Sequence, residues 1–138
     1  MEEPTGIPGH VGAEGPSRRL QETLKTLGIS FEAEGEVTRI HLGEAIIEVK
    51  DDPEHGYITQ VQVPLPVPGD DPSGALEAFR VLAVILSSLE GEVHYSVEEI
   101  VPGYPSLIGF VSYHDRMRQV EELLLALYRY LEEGGASS

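Results

Sequence analysis

The chain of 138 residues has no cysteine and no asparagine, only two methionines, and nine basic residues against 24 acidic ones. Without cysteine there is no disulfide, no thiolate zinc site and no cysteine nucleophile. The few lysines and arginines are scattered and come close together only at Arg18-Arg19 and at Arg116 and Arg118. With a formal net charge of −15 the surface repels phosphate backbones, so no nucleic acid is expected as a partner. Long apolar runs are missing too. The all-apolar stretch Val81 to Leu86 falls far short of the roughly 20 residues that a membrane-spanning helix needs, and no membrane partner is expected. The amino-terminal stretch is acidic and rich in glycine and proline and lacks the basic-then-apolar plan of a signal peptide, which points to the cytoplasm. Scarcity of thermolabile residues, ten prolines and abundant glutamate suit a heat-loving source.

Signatures of chemistry are equally sparse. The five histidines, His10, His41, His55, His94 and His114, form no short ligand pair, and the one adjacent donor pair, His114-Asp115, uses Asp115 as a helix cap. The acidic turn Asp51-Asp52-Pro53-Glu54 lacks the alternating oxygen donors around a glycine that a calcium loop needs, and reads as a solvated hairpin. Ser87-Ser88 lies inside a helix with no strand-turn-helix elbow, and no glycine-rich phosphate loop joins a strand to a helix. No catalytic residue, metal or cofactor is expected, and the chain is read as not an enzyme.

What the sequence does contain is architecture. Residues 71 to 91 read as a central helix: Asp71 is placed to cap it, Pro72 suits a first helical position, and Gly91 suits the exit. Its apolar middle demands cover on more than one side. Residues 1 to 15 read as a flexible arm. Pro16-Ser17 then opens a helix whose Leu20, Leu24 and Leu27 share a face, and Gly28 closes it. From Phe31 the period becomes two. Phe31 to Leu42 reads as one strand, interrupted at Gly35-Glu36; Gly43-Glu44 has the form of a two-residue turn, and Ala45, Ile47 and Val49 face inward beyond it. In the third strand Pro64 and Pro66 cannot donate to a ladder, so pairing is expected to end near Val63. After the central helix come strands around Val93 to Glu98 and Leu107 to Tyr113. A last helix capped by Asp115 carries the stripe Val120, Leu123, Leu124, Leu127 and Leu131, ends at Gly134-Gly135, and leaves residues 135 to 138 as a frayed tail.

The order is αβββαββα, an α+β fold in one domain over residues 16 to 134: an antiparallel sheet with helices on one face. Residues 17 to 133 in that order carry a resemblance. The leading helix ending Leu27-Gly28-Ile29, the strand Glu44-Ala45-Ile46-Ile47-Glu48-Val49, the long middle helix, the strand pair and a last helix bearing Glu121-Glu122-Leu123-Leu124 resemble the YbjN-like and type III secretion chaperone-like group of small α+β proteins. The resemblance implies a homodimer that binds segments of other proteins and performs no chemistry. Residues 17 to 90 alone also follow the order of a double-stranded-RNA-binding domain. That module needs lysines where this chain has Asp70-Asp71-Pro72, so it is rejected.

The informative excess is apolar. Tyr104, Pro105, Ile108 and Phe110, with the middle of the central helix, exceed what one small sheet covers. They are read as a surface for a second copy of the chain or another protein, with Phe110→Glu expected to weaken dimerisation. The leading expectation is a non-enzymatic, dimeric adaptor or chaperone-like domain. The alternative is a small-ligand or enzymatic site on the polar sheet face, where strand parity puts Arg39, His41, His94 and Glu98 on one side.

Overall fold

Turn chemistry sets the architecture seen in the computed structural model, which describes residues 15–137, with side chains through Glu133. Helix α1 (Pro16–Leu27) starts on a proline and stops where Gly28 takes φ 73°, its N–H bonding the carbonyls of Leu24 and Lys25. Strands β1 (Phe31–Glu34) and β2 (Val37–Leu42) are joined by Gly35-Glu36, and β2 and β3 (Ala45–Asp52) by Gly43-Glu44. Each turn has glycine at φ 61° in its first position, the geometry of a two-residue hairpin. The single first strand expected from the sequence is therefore a hairpin, and the sheet gains a strand.

Strand β4 (Gly56–Pro64) follows a turn in which the Asp52 carboxylate accepts the N–H groups of Glu54 and His55 at 2.8 and 3.1 Å. Pairing ends at Pro64, opposite Ser106, as the two prolines required. The chain then leaves the sheet, with only Leu65 N–H still bonded, to the Pro105 carbonyl. Helix α2 spans Ser73–Ser87 and not 71 to 91: Pro72 takes the cap position, the Asp71 carboxylate accepts the Ser73 N–H at 3.1 Å from one residue farther out, and the helix closes at Ser88, before Gly91. The hairpin β5 (Val93–Val101) and β6 (Tyr104–Tyr113) turns on Pro102-Gly103, with Gly103 at φ 86°. Glu99 and Ile100 bulge opposite Pro105, which has no N–H to offer there.

Helix α3 runs Arg116–Ser137, and Asp115 caps it through the Met117 N–H. It continues past Gly134-Gly135, where the sequence reading ended it and began a frayed tail; glycine costs a helix only about 1 kcal/mol and does not forbid it. The arm expected over residues 1 to 15 lies outside the described residues, apart from Gly15.

The antiparallel sheet has the order β1-β2-β3-β4-β6-β5, and α2 and α3 lie on one face, with α1 against α3. The α+β class and one-sided cover expected from the sequence are what the chain has. Its core joins Ile40, Ile47, Val49, Val61 and Val111 of the sheet to Val81 and Ile85 of α2, Leu123 and Leu127 of α3, and Leu20 and Leu24 of α1. The middle of α2 is not enclosed all round, however. Ala83 is exposed and Val84 half-buried, because the sheet and α3 together cover only part of its circumference.

Candidate functional surface

Strand order decides the fate of the polar-face cluster. Arg39, His41, His94 and Glu98 do lie on the uncovered face, but the first two are on β2 and the others on β5, with β3, β4 and β6 between. At the usual interstrand spacing that is roughly 19 Å, so they do not converge. Each side is instead paired locally. Arg39 Nε donates to Glu48 at 2.9 Å and Lys50 to the other oxygen of the same carboxylate at 3.1 Å. Burial raises the Glu48 carboxyl, yet the bonds from Arg39 and Lys50 outweigh it and hold the group below its ordinary range. Glu98 accepts from Ser96 Oγ at 3.3 Å.

The four residues read as a partner surface divide in two. Phe110 sits between two imidazoles, with His94 stacked on it at 5.1 Å and His55 edge-on at 5.0 Å. Ile108 is buried among neighbours on the same face. Tyr104 and Pro105, roughly 20 Å along β6 from Phe110, line a groove of about 310 Å³.

That groove forms where the sheet comes apart. Pro64 and Pro66 carry Leu65 and Val67 out of the ladder on one side, and the bulged end of β5 presents Ile100 and Val101 on the other. Its walls are thus apolar and its rim acidic, with Glu44, Asp70 and Asp71 all lining it. The Asp71 carboxyl is held low by the Ser73 hydroxyl and N–H that bond it. Glu44 reaches from the β2–β3 turn to lie against Gly74, which has no Cβ to obstruct it. Ile100, Val101 and Tyr104 are each more than half exposed, as are Tyr95 and Val97 farther along β5. Leu65, Val67, Ile100 and Val101 join the groove without having been expected there. The signal available was the proline pair, which strands two apolar side chains outside the sheet.

A further polar cluster is structural. One oxygen of Glu122 accepts from Tyr113 Oη at 2.8 Å and from Glu90 N–H at 2.9 Å; the other accepts from Arg118, which also pairs with Glu90. Burial and the adjoining Glu122 carboxylate push the Tyr113 hydroxyl far up, so it stays a donor. The cluster ties β6 and the α2–β5 connection to α3. Among the described residues no group of three or more His, Asp or Glu is placed to hold a metal ion, and no helix is long and apolar enough to cross a membrane.

No family model matches the chain, and no curated protein matches it. Among solved structures it is similar to the crystal structure of YbjN from E. coli, at 17% identity, over 84% of this chain and 83% of that one, with a TM-score of 0.42. The likeness is a YbjN-like layout, the one resembled by the sequence. At that identity and score no residue role or activity is carried across.

Proposed function

We propose that this chain is a non-enzymatic protein-interaction domain, adaptor-like or chaperone-like in role, that holds an extended segment of another protein at the β5–β6 end of its sheet. The observation that carries the reading is the groove itself, where Leu65, Val67, Ile100, Val101 and Tyr104 lie beside a carboxylate rim. An apolar anchor seated there is desolvated, and Lys or Arg residues flanking it meet Glu44, Asp70 and Asp71. The separation of Arg39 and His41 from His94 and Glu98 supports leaving catalysis out of the reading. Association with a second copy belongs to the same reading, on a surface argued below.

The test is a peptide array probed with the chain and with its Tyr104→Glu variant. Spots in which basic residues flank an apolar one are expected to retain the chain and to lose the variant. Retention indifferent to peptide charge, or unchanged by the substitution, refutes the groove as the site. Phe110→Glu serves as a control outside the groove and leaves retention intact.

A further inference from the structure

Strand β5 is an edge over nine residues, paired with β6 on one side and, among the described residues, with nothing on the other. The opposite edge, β1, is blunted: it has four residues, two of them glutamate. Edge β5 has no such protection in its middle. Tyr95 and Val97 are 59% and 62% exposed on the helix-side face, while His94, Ser96 and Glu98 alternate on the other face. A long edge with apolar residues at alternate positions is a template for another strand.

We propose that the occupant of this edge is β5 of a second copy, antiparallel about a two-fold axis through Ser96. The argument is self-complementarity. Directly opposite residues in an antiparallel pair share a face, so a two-fold must centre on one residue. Centred on Ser96, it sets His94 opposite Glu98 of the second copy and Tyr95 opposite its Val97, and symmetry repeats both pairs. An imidazole meets a carboxylate on one face, and an aromatic ring meets a β-branched side chain on the other, both favourable cross-strand combinations. Centring on Tyr95 would put Glu92 opposite Glu98, and centring on Glu98 would put that carboxylate opposite itself. Centring on Val97 leaves His94 without a carboxylate and sets Ser96 against Glu98. Of these registers the Ser96 one alone pairs His94 with an acid and keeps Tyr95 against Val97.

The product is a continuous sheet through both copies, with all helices on one side. Leu65, Val67 and Tyr104 of each groove lie off β5, which contributes only its bulged end, Ile100 and Val101, to the lining. The inference goes beyond the groove reading, and neither depends on the other: segment binding is read through Tyr104, self-association through β5.

Sedimentation of the chain at micromolar concentration is expected to show a dimer. His94→Glu places two glutamates opposite two others and is expected to raise the dissociation constant about tenfold or more. Adding Glu98→Lys to it recreates an acid–base pair across the axis and restores the dimer, although residues 94 and 98 are too far apart in one strand to touch. Because the chain has no cysteine, Ser96→Cys gives a second readout free of competing thiols. That variant is expected to form a disulfide-linked dimer under mild oxidation, whereas His41→Cys on β2 does not. A monomeric wild type, a folded double variant that fails to recover, or crosslinking no better at residue 96 than at residue 41 overturns the proposal.

Discussion

Glu48 lies between Arg39 and Lys50 on the uncovered face, with its side chain 17% exposed, and its carboxyl is held below the ordinary value of 4.5. A depressed carboxylate contributes stability that is present above the ordinary value and lost as pH falls through the lower, folded one. Glu48→Gln is therefore expected to cost about 1–2 kcal/mol near neutral pH, where two cations lose their shared acceptor, and to cost less as acid titrates the wild-type carboxylate. Urea unfolding from neutrality to below pH 4.5 checks it. A loss that is constant across that range would mean that the pairs with Arg39 and Lys50 contribute nothing. At this scale the sequence was readable wherever a side chain acts on its own backbone neighbourhood: Asp115 caps α3 as its position requires, and Asp71 accepts the first N–H of α2, although Pro72 and not Asp71 takes the cap position. It was unreadable where an interaction joins distant segments. Gln119 looks like a solvated helix residue, yet it is fully buried, with its amide donating to the Ile58 carbonyl.

Between elements, parity carried more than composition did. In the first hairpin Phe31 and Ala33 face inward at odd positions and Thr38 and Ile40 at even ones, and the same switch separates Leu42 from Ala45. Both switches fall on Gly-Glu, so the first turn was as legible as the second; reading Phe31 to Leu42 as one strand ignored its change of phase. Strand order was a different matter. Nothing local states that β6 inserts between β4 and β5, because that follows from how α2 crosses the sheet, and it is this insertion that separates His41 from His94. Gly109 marks the closest part of that packing. A Cβ there would lie 2.6 Å from Leu86 Cδ1 of α2 and 2.9 Å from Tyr95 Cε1 of β5. Gly109→Val is expected to destabilise the fold by about 1–3 kcal/mol through overpacking. The same change should weaken self-association, since it displaces Tyr95 from its place beside the edge. Denaturation and sedimentation of one variant test both effects, and a variant of wild-type stability would show that α2 does not bear on Gly109.

Across the whole molecule the dominant fact is charge, and it acts with opposite sign on the two surfaces. Two chains that each carry a net −15 repel as they approach, and salt shortens the range of that repulsion to about 8 Å at physiological ionic strength. The pairs across the β5 axis are only two, whereas the repulsion sums over both surfaces. Self-association is therefore expected to strengthen as salt is added from low ionic strength. Binding in the groove is governed by attraction of a basic segment to Glu44, Asp70 and Asp71, and is expected to weaken over the same range. Sedimentation and fluorescence anisotropy on a salt series measure the two separately. A dimer that loosens with salt would place the net charge below the His94–Glu98 pairs in importance. A groove complex that tightens with salt would make the apolar walls, and not the acidic rim, the source of its selectivity. Opposite slopes would separate the two surfaces by their electrostatics, although β5 supplies both the edge for the axis and, through Ile100 and Val101, part of the groove wall.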